Sequence, residues 1–203
     1  MDNKAMFKIS YGLYVLTASA GGKSNGCIIN TFAQVTTTPN RVSVTVNKGN
    51  YTNYLIAQGG VFNVSIIDES ADFELFRRFG FSSGRDNNKM FGAEYLAAKN
   101  GVPYISSKTC AYVSAKVVNA IDLGSHTLFI ADVTDAEVLS EKAPMTYGFY
   151  HANVKPKPAA KKSDDGKERW VCNICGYIYE GKLPADFICP VCKHGASDFS
   201  LMK

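Results

Sequence analysis

Alternation of apolar and polar residues predicts that the first three quarters of the chain are mainly β-structure. The clearest case is Val42, Val44 and Val46, which alternate with polar residues at the period of a strand with one buried face. Further strands are predicted at residues 13–17, 25–32, 61–67, 109–121 and 126–139. Gly-Gly, Pro-Asn and Asp-Leu-Gly sequences between them are typical of turns.

Helices are predicted to be short and few. Residues 51–60 favour a helix that stops at Gly59-Gly60, and residues 68–79 favour a second, with Ser70 as its N-cap. Residues 95–99 are predicted to form one helical turn. Several strands with two short helices predict an antiparallel β-barrel over residues 1–151.

A change of composition divides the rest of the chain. Residues 152–169 lack apolar periodicity and are rich in Lys, Pro and Ala, so we interpret them as a linker. If flexible, such a linker spans about 23 Å on average and about 60 Å at full stretch. Residues 170–203 then form a second, small domain.

Charge and hydropathy exclude some classes of function. The chain has 203 residues, 46% apolar and 20% charged, with net charges of +1, +3 and 0 for the three segments. This distribution gives no basic face for nucleic acid outside the linker. No apolar run approaches the roughly 20 residues of a membrane span, and residues 1–10 lack the apolar region that a signal peptide requires. We expect a cytoplasmic protein in which Cys27 and Cys110 are reduced and buried.

Four of the six cysteines lie in two CxxC pairs within residues 170–203. Thirteen residues separate Cys172/Cys175 from Cys189/Cys192. Two facing CxxC turns form a tetrahedral four-thiolate cage, which suits zinc or iron. A segment this short buries little core without its metal.

The sequence NKGNYT, residues 47–52, is a candidate anion site. Gly49 allows close approach of backbone, Lys48 supplies a positive charge, and the helix that follows presents unpaired N–H groups. A capped surface turn is the alternative interpretation.

The order of these features resembles the flavin reductase-like FMN-binding family, through residues 25–67 and the late segment GSHTLFIADV. The resemblance implies a split antiparallel β-barrel, FMN as cofactor, NAD(P)H as substrate and a homodimer. It implies that the isoalloxazine edge meets Asn30, Thr31, Phe32, Ala33, Gln34 and Val35. It also implies that the phosphate lies on Asn47, Lys48, Asn50, Tyr51 and Thr52.

Further residues are candidates for contacts with the flavin or the nicotinamide nucleotide. His126 is implied as a contact for flavin or nicotinamide, against a surface or hydrogen-bonded structural role. Tyr147 and Tyr150 are implied as flavin contacts, against simple aromatic packing. The arginines at 77, 78 and 85 either meet a pyridine-nucleotide phosphate or form a solvated face.

The cysteine-rich segment resembles the short rubredoxins appended to rubrerythrins, through WVCNICGYIYEG, CPVC and Phe199. The resemblance implies a rubredoxin-like domain with iron on Cys172, Cys175, Cys189 and Cys192. Gly176 suits a turn whose N–H groups point at sulfur. Lys193 stands where free-standing rubredoxins usually have glycine, so a structural zinc remains the alternative.

Together the two halves predict an electron-transfer protein. Hydride passes from NAD(P)H to FMN, and single electrons leave through Fe(SCys)4 to an acceptor protein. Proteins of anaerobic microbes that join both modules imply a flavodiiron oxygen or nitric oxide reductase as that acceptor. The alternatives are a non-catalytic FMN and iron carrier, and an FMN-binding barrel with a structural zinc ribbon. No catalytic triad is needed, since the protein only binds and orients the reacting rings.

Overall fold

The computed structural model describes residues 2–156, 168–173, 177–190 and 195–202. Its main element is a seven-stranded sheet with the order β2-β1-β5-β8-β9-β4-β3, in which every neighbouring pair is antiparallel. The strands are β1 (Tyr14–Ala20), β2 (Lys23–Ile29), β3 (Phe32–Thr37), β4 (Asn40–Asn47), β5 (Val61–Ile67), β8 (Thr109–Asp122) and β9 (His126–Val138). The predicted mainly β fold is confirmed, and its topology is compatible with a split barrel.

Short helices and a small sheet complete this part of the chain. The helices are a 3-10 turn at Asn3–Lys8, α1 (Tyr51–Gly59), α2 (Phe73–Gly80) and α3 (Tyr147–Phe149), which continues as a π-helical turn through Tyr150–Val154. Strands β6 (Tyr95–Ala97) and β7 (Pro103–Ile105) form a separate antiparallel pair. The helical segment therefore ends within residues 152–169, the part predicted as linker, most of which lies outside the described residues.

The turns follow the sequence signals. Gly21 and Gly22 join β1 to β2 with φ angles of 57° and 73°, and Gly124 closes the β8–β9 hairpin with a φ of 80°. These left-handed conformations are open to glycine without a steric cost. The three turn regions predicted from Gly-Gly, Pro-Asn and Asp-Leu-Gly are thus confirmed.

Both faces of the main sheet carry buried apolar residues, since the neighbouring residues Val15 and Leu16 of β1 are both fully buried and belong to different hydrophobic clusters. Val42, Val44 and Val46 are all buried, as their alternation predicts. They belong to a hydrophobic cluster that includes Phe62 of β5 and Leu55 of α1. Burial of this apolar face fixes the register of β4, because a slip of one residue would expose all three valines. The carboxyl end of β4 is thereby held next to the start of α1.

Three local predictions are wrong. Residues 95–97 form strand β6 rather than a helical turn, because they pair with β7. The N-cap of α2 is Asp72, whose carboxylate accepts from the Glu74 N–H, whereas Ser70 bonds to Asp68. The predicted strand over residues 25–32 is two strands, since β2 ends before residue 30 and β3 begins at Phe32.

The C-terminal part contains a three-stranded antiparallel sheet with the order β11-β10-β12. Its strands are β10 (Arg169–Cys172), β11 (Ile178–Glu180) and β12 (Phe199–Leu201). One hydrophobic cluster joins Cys172, Cys189 and Phe199, with aromatic neighbours that include Trp170 and Phe187. Within the described ranges, no helix is long and apolar enough to cross a membrane.

Candidate functional site

The 47–52 loop connects the end of β4 to the start of α1. The Asn47 side-chain oxygen accepts a hydrogen bond of 2.7 Å from the Gly49 N–H, and the Asn50 N–H donates to the Asn47 carbonyl at 3.0 Å. Asn50 takes the N-cap position without a side-chain capping bond. Among the first N–H groups of the nine-residue helix α1, that of Asn53 donates to the Asn50 carbonyl at 3.1 Å, so those of Tyr51 and Thr52 are the ones that can bind an anion at this helix N-terminus.

A cavity of about 420 Å³ lies beside this loop, and we call it the inner cavity. It is lined by Cys27, by every residue of 47–52 except Lys48, and by residues of the segment 80–89. Four of the five predicted phosphate contacts thus share one cavity. Lys48 instead forms an exposed ion pair with Asp122, with 2.6 Å between its Nζ and the carboxylate oxygen.

The cation that lines the inner cavity is Lys89. Its side chain is only 7% exposed, and its Nζ donates to the Phe79 carbonyl at 3.0 Å. Among the described residues it forms no salt bridge. Burial lowers the pKa of Lys89 from its usual 10.5. A buried ammonium without a carboxylate partner is costly, and a phosphate beside α1 removes that cost.

The chemistry of the inner cavity therefore fits a flavin phosphate. Helix N–H groups, the hydroxyl of Thr52, the amide of Asn50 and the Lys89 ammonium all line one space. Lys89 escaped prediction because it follows a loop of Gly, Ser, Asp and Asn residues, far from the 47–52 loop in sequence. Only the folding of the 80–89 segment over the cavity reveals it.

Cys27 contributes a neutral wall to the same cavity. Its thiol is buried beside Thr52 and Asn50, and desolvation raises its pKa while those contacts and Lys89 act in the opposite direction. A thiol in such surroundings stays protonated and behaves as a small hydrophobe. Its predicted burial is confirmed.

The predicted isoalloxazine contacts lie on an accessible edge of the main sheet. Strand β3 is terminal in the strand order, and Ala33, Gln34 and Val35 are exposed. The Thr31 hydroxyl donates to the Thr45 carbonyl at 2.6 Å, which holds the β2–β3 connection beside the end of β4. The segment 30–35 therefore begins near the 47–52 loop and runs away from it, so a flavin can extend from the inner cavity along this edge.

His126 begins β9 directly opposite Asn47 in the β4–β9 register. Its Nδ1 lies 2.8 Å from the Ser125 hydroxyl. It is half-buried and is not among the residues that line the inner cavity. The structure thus brings His126 next to the predicted phosphate loop, at the same end of the sheet.

The two tyrosines after β9 lie in aromatic surroundings. Tyr150 is buried with its ring centroid 4.4 Å from that of Phe76, in a cluster formed with α2. Tyr147 is 40% exposed and packs edge-on against Tyr11 and His151. Neither lines the inner cavity. Aromatic packing accounts for the position of Tyr150, and Tyr147 keeps a surface on which a ring can lie.

The C-terminal domain provides a protected place for thiolates. Cys172 and Cys189 are 1% and 0% exposed and lie in the same aromatic cluster. Cys175 and Cys192, like Gly176 and Lys193, lie outside the described residues. Within the described ranges no group of three metal-ligating side chains is found, because two of the four predicted ligands lie outside those ranges. Two buried sulfurs shielded by aromatic rings fit a thiolate-bound iron.

Comparison with known families agrees with this geometry. Residues 6–156 match the flavin reductase like domain, and residues 170–200 match the rubrerythrin, rubredoxin-like domain. A high molecular weight rubredoxin from Moorella thermoacetica is 34% identical over 98% of this chain and 99% of its own length. A ferric-chelate reductase (NAD(P)H) from Archaeoglobus fulgidus is 40% identical over 77% of this chain and 93% of its own.

Solved structures show the same fold for the N-terminal part. The NADH:FAD oxidoreductase SgcE6 of Streptomyces globisporus superposes with a TM-score of 0.64 at 19% identity, over 70% of this chain and 84% of its own. The flavin reductase HpaC in complex with NADP+ superposes with a TM-score of 0.62 at 23% identity, over 71% and 89%.

These matches determine the cofactor classes. A flavin reductase-like domain works with flavin and NAD(P)H, and a rubredoxin-like domain carries iron, which decides between the iron and zinc left open by the cysteine spacing. The chain belongs to the flavin reductase-like family, in the group of high-molecular-weight rubredoxins, which carry a rubredoxin-like domain after the flavin domain.

Proposed function

We propose that the protein takes hydride from NAD(P)H onto FMN and delivers single electrons through a four-cysteine iron site to an acceptor protein. Family membership already makes it an NAD(P)H-dependent oxidoreductase with an electron-transfer domain. The single observation that carries the flavin assignment is the buried Lys89, which lines the same cavity as the 47–52 loop and has no carboxylate partner among the described residues. Because the linker tethers the two domains, each experiences the other at an effective concentration of about millimolar, which is sufficient for electron transfer between them.

Each part of the site has a separate task in this proposal. Lys89, Asn50 and Thr52 bind the phosphate, and the β3 edge orients the ring. His126 lies at the same end of the sheet and contacts the flavin or the nicotinamide. When bound, flavin exchanges two electrons with nicotinamide and one with iron, so no side-chain nucleophile is required. Cys172, Cys175, Cys189 and Cys192 hold the iron.

The proposal includes a homodimer. Val35 on β3 and the apolar residues Val118, Ile121 and Leu123 of the β8–β9 hairpin are 40–53% exposed. Exposed apolar residues are typical of an interface when they form a patch. A second copy on this face covers the β3 edge and encloses the ring that lies there.

The acceptor in this proposal is a flavodiiron protein in the cytoplasm. Such an acceptor receives single electrons, which is the form in which an iron-thiolate site supplies them. The proposed route needs no nucleic acid or membrane.

Steady-state oxidation of NADH tests the reductase assignment. The purified protein loaded with FMN and iron is expected to oxidise NADH with multiple turnovers when a purified flavodiiron protein is supplied as acceptor. Negligible turnover with both FMN and iron bound would show that the protein is an electron carrier reduced by other proteins. One zinc and no iron in protein from iron-replete cells would show a structural ribbon.

A further inference from the structure

The flavin domain ends in a helical segment, residues 147–155, which we call the terminal arm. At the base of the arm the Tyr147 N–H donates to the Tyr11 carbonyl at 2.8 Å. At its far end the Lys155 N–H donates to the Tyr150 carbonyl at 2.8 Å and closes a π-helical turn. Single turns of this kind often lie at functional sites. Lys155 is thus held in place where the chain leaves the flavin domain.

The side chain of Lys155 contacts the C-terminal domain at its first CxxC turn. Its Nζ donates to the carbonyl of Asn173, the residue that directly follows Cys172. Asn173 is itself fixed within that domain, because its N–H donates to the Asp198 carbonyl at 2.8 Å and its side-chain amide to the Ser200 hydroxyl at 2.9 Å. The lysine therefore binds a rigid part of the domain, next to a predicted iron ligand.

The base of the terminal arm is connected to the β3 edge. Thr146, the residue before the arm, forms a bridge with Gly12. A Cβ on Gly12 would lie 2.2 Å from the Tyr14 hydroxyl, so only glycine permits this close approach. The Tyr14 ring packs edge-on against Phe32 of β3, with 5.1 Å between the ring centroids. Because a helical segment of this length spans at most about 14 Å, Lys155 stays near the edge along which the proposed flavin ring lies.

The positive charge of Lys155 suits the site beside it. Four thiolates outweigh the charge of iron in both of its oxidation states, and the ferrous site is the more negative of the two. The ammonium therefore attracts the reduced domain more strongly than the oxidised one. The hydrogen bond is exposed, so this attraction is small by itself. A small attraction is effective here because the linker already limits the separation of the two domains.

We infer that Lys155 is a positioning residue for electron transfer, which holds the first CxxC turn of the rubredoxin-like domain against the terminal arm of the flavin domain. The inference deepens the proposed function and rests on it, because the contact serves electron transfer only if electrons pass from the flavin to the iron. The linker keeps the domains close, and Lys155 selects the side of the C-terminal domain that faces the flavin domain.

The test uses the full-length protein as wild type, Lys155→Met, Lys155→Arg and Lys142→Met. Lys142 is the matched control, because it is an exposed lysine whose ammonium also donates a hydrogen bond, at 3.0 Å to the Ser70 hydroxyl. NMR relaxation of backbone amides gives the rotational correlation time of each domain, with FMN bound and zinc in the four-cysteine site. Zinc is diamagnetic and has the charge of ferrous iron. A redox titration of the iron-loaded protein, followed in the ferric-thiolate band, gives the midpoint potential of the iron.

In the wild type and in Lys142→Met, we expect the C-terminal domain to tumble with the correlation time of the flavin domain. In Lys155→Met its correlation time is expected to fall at least about twofold, because the domain then moves independently on its linker. The midpoint potential is expected to fall by about 30 mV, which corresponds to the loss of a roughly threefold preference for the reduced domain in a one-electron couple. Lys155→Arg keeps the charge and the donor groups and is expected to restore both values.

Unchanged correlation times and an unchanged potential in Lys155→Met would overturn the inference, as would independent tumbling of the C-terminal domain in the wild type. Reduction of the iron by NADH is followed in the iron-loaded samples. If NADH still reduces the iron in those cases, the proposed function stands and only the role of Lys155 is wrong. If the domains tumble together but NADH does not reduce the iron, the proposed function fails, and with it the role of this contact in electron transfer.

Discussion

Cys189→Ser is expected to abolish electron transfer out of the protein while flavin reduction by NADH continues. Cys189 is completely buried among the aromatic residues of the C-terminal domain, and we assign it to the iron. A serine hydroxyl is a poor ligand for iron at neutral pH, so the site loses one of four thiolates. We expect iron content near zero and a rate of transfer to a flavodiiron protein reduced by at least about 100-fold.

The matched control is Cys110→Ser. Cys110 is also buried, but it lies on β8 with its sulfur 3.6 Å from the Ile66 carbonyl, in the flavin domain. This variant is expected to keep its iron and its transfer rate. Reduction of FMN by NADH in both variants verifies that the flavin domain has folded. Unimpaired transfer by Cys189→Ser would exclude a route through the iron. Cys175→Ser is likewise expected to keep flavin reduction and to lose transfer to the acceptor.

Lys89→Met is expected to weaken FMN binding by about 10- to 100-fold, because a buried hydrogen bond to a charged phosphate is lost. Riboflavin, which has no phosphate, separates this effect from general damage. Its affinity is expected to be the same in the variant and the wild type. Titrations followed by flavin fluorescence give both constants, and Lys89→Arg, which keeps the positive charge, is the matched control.

The pH dependence of FMN binding follows from the same lysine. Bound phosphate favours the protonated ammonium, so affinity is highest below the pKa of Lys89 and falls as pH rises through it. Because burial lowers this pKa from 10.5, the fall begins at a lower pH than for an exposed lysine. Lys89→Arg does not titrate in this range and is expected to remove that fall. An equal loss of FMN and riboflavin in Lys89→Met would contradict the phosphate assignment.

Local sequence patterns predicted most strands of the main sheet, because the residues that specify each of these strands and its turn lie within the segment itself. The alternation at Val42, Val44 and Val46 needs only one buried face, and the glycines at 21 and 22 mark their turn directly. Residues 95–97 were mispredicted because a three-residue strand exists only through its pairing with β7. No periodicity extends over so few residues.

The candidate site shows the same division between local and distant information. The 47–52 loop was found from its own residues, but the sequence analysis took Lys48 of that loop as the positive charge that binds the phosphate. In the structure Asp122, 74 residues away, pairs with Lys48, and Lys89 lines the cavity from another segment. Neither contact follows from residue type or spacing, since both depend on how the β8–β9 hairpin and the 80–89 segment pack against β4 and α1.

An anaerobic visible absorption spectrum, recorded before and after addition of NADH, tests the relay most directly. We predict that the purified protein shows flavin and ferric-thiolate bands together, and that NADH bleaches both. In Cys189→Ser only the flavin band is present and bleached. A wild-type spectrum in which NADH bleaches the flavin but leaves the ferric-thiolate band unchanged would contradict electron transfer from the flavin domain to the iron.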